Sequence, residues 1–338
     1  MAWKPEDIPG RIVFDHPVSD QIAEPLIQLL RERRLICSSA TVHSLKPTTS
    51  LAGHYRVVTE TEPLFVRITL RSRKDTGHEY LVSSYLVAQA IGVSHSLEPP
   101  FSLTHADQDY SVAIFPFIKG HHYDGSTGQL ASLGLELRRL HQALRQFPDQ
   151  EKIKANSADT AKLLAETKAL LIGAIQRDDY GCFHERAGWA KDHKNWLDDM
   201  ARQFDPYLAE RDNAQCIHGE LHLGNVIFAG DDERVVFADL EETYDAWYPP
   251  SFDLAYIIHR FCLSHAGSDE DLQRHLQTIR ESYGGFEHGQ DDMLRQVAWY
   301  NMALLIIRRH LGESISPEAE YNKFVELERR SRRLAQVL

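Results

Sequence analysis

Residues 216–228 read CIHGELHLGNVIF, a polar knot between two apolar runs that holds two histidines, one acid, one asparagine and two glycines. His218 and His222 are four apart, the spacing that sets two zinc ligands on one helix face. Gly219 and Gly224, with short β-branched flanks, disfavour a helix there, and the order H-x-E-x-H is not the H-E-x-x-H of zinc hydrolases. As a loop, the stretch makes different chemical sense. Glu220 and Asn225 are five residues apart, and Asp239 lies at the end of the next apolar run, RVVFADL. A hairpin turning at GDDE (230–233) brings the end of its second strand back beside the loop that starts the first. A carboxylate, a carboxamide and a second carboxylate then converge. Those are hard oxygen donors of the kind Mg²⁺ takes alongside nucleotide phosphates, and a further acid that accepts a hydroxyl proton completes a phosphoryl-transfer site. The same residue types also cap turns, and the spacing alone leaves that alternative open.

The elements that must position this loop are legible in outline. Residues 19–34 have the pattern of an amphipathic helix starting at Ser19 or Asp20. ATVHSLKP, GHYRVVTE and EPLFVRITLRS read as strands, GHEYLVSSYLVAQAIG as a helix ending near Gly92, and 101–118 as a hairpin turning at ADQD. After KGHHYDG the pattern becomes helical. Leu130, Leu133, Leu137, Leu140 and Leu144 form one apolar stripe at helical spacing. Residues 158–176 and 186–204 follow as helices, then the hairpin, then four more helical segments beginning at FDLAYIIHRF. The plan is a small mixed α/β lobe over 1–118 and a larger, mostly helical lobe over 119–338 with the hairpin at its heart.

Composition narrows the class. At 338 residues the chain exceeds the usual size of a single core. Residues 1–120 are nearly neutral, with 12 basic and 13 acidic side chains, so almost all of the net charge of −12 falls on the remainder. An acidic second half argues against nucleic acid as partner. No apolar run reaches the roughly 18 residues of a membrane span, and MAWKPEDIPG lacks the pattern of a secretory signal, so the expectation is a cytoplasmic protein with no membrane association. Cys37, Cys182, Cys216 and Cys262 contain no C-x-x-C pair and read as reduced thiols.

HGELHLGNVIF followed by VVFADLEE resembles the catalytic loop and metal-binding segment of the aminoglycoside phosphotransferase family, which reads H-G-D-x-x-x-x-N with a second Asp on the next strand. LGLELRRLH (133–141), YPPSFDLAYI with Asp253, the hinge AIFPFIKG, the strand FVRITL and the helix start GHEYLV resemble further family elements, in family order, between about residue 40 and 262. The resemblance implies a two-lobed, protein-kinase-like α+β fold. It implies that Asn225 and Asp239 hold Mg²⁺ bridging ATP phosphates, and that Glu220 stands where the family has its catalytic Asp. It further implies that Arg67 pairs with phosphate and with Glu79, and that backbone around Phe115, Phe117 and Ile118 binds the adenine of ATP or the guanine of GTP. His218 and Asp253 would hold the shape of the loop, with Asp253 a candidate helix N-cap.

Three departures mark this chain. Glu220 adds one methylene to the expected Asp, Arg67 replaces a usual Lys with Arg71 and Arg73 as alternatives in register, and the phosphate loop LKPTTSLAGHYRV has one glycine, Gly53. The implied activity is transfer of the ATP γ-phosphate to a hydroxyl of a small molecule. Its pocket would come from residues 148–212 and 263–338, and Glu241, Glu242 and Asp245 suit an amine-bearing acceptor. Two alternatives stand beside it: a bacterial protein Ser/Thr kinase of the same fold, and a silent nucleotide-binding scaffold.

Overall fold

The computed structural model describes residues 16–36, 40–45, 51–70, 76–105, 107–286, 289–310 and 317–337. Within them the chain forms two compact units, one from the first 124 residues plus 224–244, the other from 125–223 plus 245–338.

The first unit runs β1 (His16–Pro17), α1 (Asp20–Glu32), β2 (Thr41–Ser44), β3 (Gly53–Val58), β4 (Leu64–Leu70), α2 (Thr76–Ala88), β5 (Phe101–His105), β6 (Gln108–Pro116) and β7 (Gly120–His121). The sheet order is β1-β2-β3-β4-β6-β5, with every pair antiparallel. Strand alternation decides the site. Val66 and Ile68 on β4, Tyr55 and Val57 on β3, and Val112 and Ile114 on β6 join Ile22, Leu26 and Leu30 of α1 in one core. The intervening residues, Phe65 and Arg67 with their register partners Phe115 and Ala113, therefore face the other way. A one-residue slip would drive Arg67 into the apolar core, so burial of one face fixes the register. The hairpin turn is shorter than ADQD: Gln108 and Asp109 already pair with His105 and Thr104, and Asp107 takes a left-handed φ of 60°. The helix before Gly92 ends at Ala88, ahead of a left-handed Ala90.

The second unit contains α3 (Thr127–Leu144), α4 (Gln150–Arg177), α5 (Ala187–Asp192), α6 (Lys194–Gln203) and β8 (Gln215–Cys216). The chain then supplies β9 (Val226–Ala229) and β10 (Arg234–Phe237) to the first unit. It returns through β11 (Trp247–Tyr248), α7 (Ser251–Ile257), α8 (Asp269–Tyr283), α9 (Gln290–His310) and α10 (Glu318–Val337). Helix α4 begins eight residues earlier than the apolar pattern indicates, because its first two turns are largely polar. The segment read as one helix over 186–204 breaks at His193. The five leucines of the α3 stripe are all fully buried, each worth roughly 1.5–3 kcal/mol of transfer free energy. Gly134 lies in the same helix. A Cβ there would meet Ser282 Oγ at 2.0 Å, so glycine is what lets α3 and α8 approach.

The hairpin β9–β10, expected among the helices, groups with the first unit for a visible reason. Val93 bridges Phe237 in parallel; the Phe237 amide donates to Gly92 (2.9 Å) and the Ser94 amide to Phe237 (2.7 Å). Gly92 permits this, since a Cβ would lie 2.3 Å from the Val235 carbonyl oxygen. On the other edge Gly120 and His121 pair with Ala229 and Phe228. Among the described residues, no helix is long and apolar enough to cross a membrane.

Candidate functional site

In the first unit, Arg67 reaches out of the strand face opposite the core. One arm of its guanidinium pairs with Glu79 of α2, and the other donates to Asp239 Oδ1 at 2.9 Å. The two acids are unequal. The Glu79 side chain is 7% exposed and the Asp239 side chain 35%. Burial opposes the Arg67 charge, but Glu79, Asp239 and Glu241 together raise its pKa above the ordinary value. Burial pushes the Glu79 carboxyl up, and Asp239 adds to the rise against the lowering pull of Arg67. Arg71 and Arg73, the alternatives in register, lie outside the described residues, as does Ser50 of the stretch expected to meet phosphate.

Asp239 follows the last ladder pair of the hairpin, Phe237 with Val226, and has a left-handed φ of 61°. Few side chains tolerate that conformation, and Asp is among them. The Asn225 carbonyl accepts the Ala238 amide at 2.9 Å, so the ladder extends by one bond and sets Asn225 and Asp239 at the same end of it. Glu79 also accepts a backbone hydrogen bond from Leu240, which ties α2 to the residue after Asp239. His78 packs edge-on against Tyr244 at 5.5 Å, fixing the same segment further along. Among the described residues no cluster of three or more His, Cys, Asp or Glu side chains could hold a metal. A metal at this end would use the Asp239 carboxylate and the Asn225 amide oxygen with ligands from phosphate and water, a donor set that suits Mg²⁺.

The strand face around Arg67 is aromatic and cationic. Phe65 lies between His54 (5.8 Å) and Phe115 (5.7 Å), Arg67 sits 5.6 Å from the Phe115 ring centroid, and Arg56 stacks over Phe117 at 4.7 Å. His54 and Arg56 carry no sequence signal; only the β3–β4 register, His54 with Arg67 and Arg56 with Phe65, puts them here. The Phe117 amide donates to the Pro63 carbonyl (3.0 Å), so the residue after β6 is stitched to the start of β4. Ile118 is half-buried beyond it.

In the second unit the knot is held by a different device. The strand pair β8–β11 and the Ile217 amide bond to Ala246 (3.0 Å) fix the entry to the loop. Asp253, fully buried, then accepts three hydrogen bonds: from the His218 amide (2.9 Å), the Gly219 amide (2.9 Å) and His141 Nε2 (2.9 Å). Gly219 has φ 90°, the left-handed region that glycine enters freely. Asp253 is not the cap of its helix: Pro250 holds that position, and the carboxylate turns to the loop instead. His141 in turn bonds Tyr283 through Nδ1 (2.8 Å), and burial raises the Tyr283 phenol to about 12, with Asp253 adding to the rise. No local spacing in the sequence marks His141 or Tyr283 as partners of the loop, although His141 closes the motif LGLELRRLH.

Glu220 is half-buried and directly follows the two clamped amides. Its own amide makes a long 3.4 Å contact with His218 Nδ1, and its carbonyl accepts from the His222 amide at 3.0 Å. Arg260, half-buried on the π-helical segment Ile258–Leu263 that continues α7, has Glu220 among the acids that offset the cost of desolvating its charge. Cys182, Cys216 and Cys262 are free thiols, and burial raises the pKa of each.

A family model described as the phosphotransferase enzyme family (APH) matches residues 44–288. No curated protein matches the chain by sequence. Solved structures resemble it across nearly their whole length. They include the AMP-bound spectinomycin phosphotransferase APH(9)-Ia (TM-score 0.59, 15% identity, 90% of this chain and 97% of that one). A microcompartment-associated aminopropanol kinase matches with TM-score 0.57 and 13% identity over 93% of this chain and 98% of that one. The choline kinase LicA from Streptococcus pneumoniae matches with TM-score 0.54 and 12% identity over 91% and 99%. At these identities the likeness carries the fold, which is α+β, two-lobed and protein-kinase-like.

Proposed function

We propose, for a chain that belongs to the phosphotransferase enzyme family, that it transfers the γ-phosphate of ATP to a hydroxyl group of a small molecule. The observation that carries this reading is the ion-pair cluster in which one guanidinium, largely withdrawn from solvent, holds both the α2 acid and the acid that ends the hairpin. In this reading Arg67 binds phosphate oxygens, and Glu79 holds it in place. The face formed by Phe65, Ala113 and Phe115 takes the base, beside the hinge at Phe117 and Ile118. Relatives crystallised with AMP and ADP support a nucleotide in this fold. Asn225 and Asp239 would hold Mg²⁺, which when bound neutralises charge on the phosphates. Glu220 orients the acceptor hydroxyl and accepts its proton, while Asp253, His141 and His218 keep the loop backbone from moving. A carboxylate retained at 220, with both metal-ligand types present, favours turnover over a silent scaffold.

Two observations bear on the acceptor. Choline and aminopropanol, in the names of two structural relatives, are alcohols that bear a cationic nitrogen, a quaternary ammonium in one and a protonated amine in the other. Glu241 and Glu242 follow Asp239 directly, and Asp245 comes shortly after in a chain whose second half is acidic. We therefore assign an amine-bearing alcohol. A protein acceptor fits less well, because the 13 residues between Asp239 and Asp253 leave no room for an activation-loop insertion. The use of ATP puts this activity in the cytoplasm.

The test is calorimetry of ATP with and without Mg²⁺, followed by turnover on a panel of amino alcohols. Glu220→Gln is expected to abolish transfer and leave ATP binding intact. Equal transfer by both proteins would remove Glu220 from its role. No binding of ATP by the wild type would end the kinase reading.

A further inference from the structure

Arg67 does more in this fold than wait for phosphate. Its two arms are committed at once, one to Glu79 and one to Asp239 Oδ1 at 2.9 Å. A planar guanidinium can span two carboxylates in this way; a lysine ammonium would share one point charge between them. The Arg67 side chain is 12% exposed and packs near Phe115, whereas the Asp239 side chain is 35% exposed, so solvent screens the pair from the Asp239 side only. Asp239 is held from its backbone side by the ladder and by the Leu240 bond to Glu79, so it does not turn away. The proposed metal ligand thus already carries a cation.

We propose that Arg67 couples metal and nucleotide binding: it occupies part of the Asp239 carboxylate, so a divalent cation binds there weakly until phosphate oxygens draw the guanidinium charge to themselves. The inference rests on the site reading given above and adds to it a role that depends on arginine's fork. Two cations cannot share one carboxylate at a half-buried site without mutual repulsion. Phosphate relieves that repulsion by interacting with both. By linkage, metal then strengthens nucleotide binding by the same factor as nucleotide strengthens metal binding, and such couplings are typically about 5–150-fold.

The ion pair supplies an internal control, because its two members act in opposite directions. Arg67→Gln removes the competing charge. Glu79→Gln removes the acid that shares Arg67, and throws more of its charge onto Asp239. The experiment titrates Mn²⁺, as an EPR-visible probe, into the full chain without nucleotide and again with saturating ADP. Relative to wild type, Arg67→Gln is expected to tighten nucleotide-free Mn²⁺ binding on the order of tenfold and to shrink the strengthening by ADP toward onefold, within the coupling range cited. Glu79→Gln is expected to weaken nucleotide-free binding. Shifts of both variants in one direction, or no shift in either, overturn the proposal, because general damage to the site cannot give opposite signs. If Arg67→Gln does not fold, Glu79→Gln decides alone: weaker binding supports the coupling, and unchanged or tighter binding overturns it. Mn²⁺ that binds as well to Asp239→Asn also overturns it. If ADP binds the wild type with no Mn²⁺ dependence, the site reading itself fails, which is a distinguishable result.

Discussion

Two aspartates follow the loop in the chain, and they are satisfied in opposite ways. Asp253, in the second unit, is fully buried and receives two backbone amides and an imidazole, so its lone pairs are spent on the protein's own donors. Asp239, in the first unit, is about a third exposed, sits at a left-handed φ and accepts from one arginine. What already satisfies a carboxylate indicates its work. One saturated by donors holds a shape, and one with exposed oxygen lone pairs remains available to a ligand.

The comparison breaks most visibly by exchanging each acid for its amide. Asp253→Asn sets an NH₂ group against buried N–H donors, and a loss of about 3 kcal/mol or more is expected, read as a fall in melting temperature. Asp239→Asn should melt near the wild type, since Arg67 keeps Glu79, yet lose the magnesium-dependent part of ATP binding in calorimetry. Equal destabilisation by the two changes would erase the distinction. Next in size is Glu220→Asp, which withdraws the carboxylate by roughly 1 Å. About a 10²-fold drop in kcat is expected, with KM for ATP little changed. If instead kcat rises, the loop backbone is not adapted to the longer side chain.

A smaller effect comes from acid. His259 is buried beside Arg260, Arg330 and Lys323. Burial first, and those charges second, put its pKa well below the ordinary 6.5. A depressed base favours the folded state above the unfolded pKa, so stability should begin to fall as pH drops below about 6.5, by at most about 1.4 kcal/mol per pH unit from this group. Urea melts of His259→Gln should show a shallower decline across that window. The smallest effect is at the outer edge of the Asp253 network. Tyr283→Phe removes one hydrogen bond to His141, for which about 1 kcal/mol is expected. A change in ATP affinity on Tyr283→Phe would show that the clamp reaches beyond its own unit.

How much of this was written in the chain depends on whether the signal is local. The α3 stripe, the turn at 230–233 and the polar knot are spacings within a few residues, and they appear where the pattern put them. The reach of Arg67 to Glu79 spans 12 residues and its reach to Asp239 spans 172. The first was visible only through family resemblance, and the second only in the structure. His54 and Arg56 join the site face by strand register, and His141 and Tyr283 meet because Gly134 brings two helices together. The same holds for the hairpin. Its strands and turn follow from apolar alternation, but its membership in the first unit follows from Gly92 fitting against Val235.

The sequence alone therefore determined the inventory: a loop with an acid, an amide and two glycines, a following acid, and elements of the right period to carry them. It did so because residue type and short-range spacing set backbone preference and hydrophobic face. Only the tertiary structure decided which carboxylate is clamped and which is offered. Burial, donor count and charge partners come from segments far apart in the chain, and no local pattern encodes them.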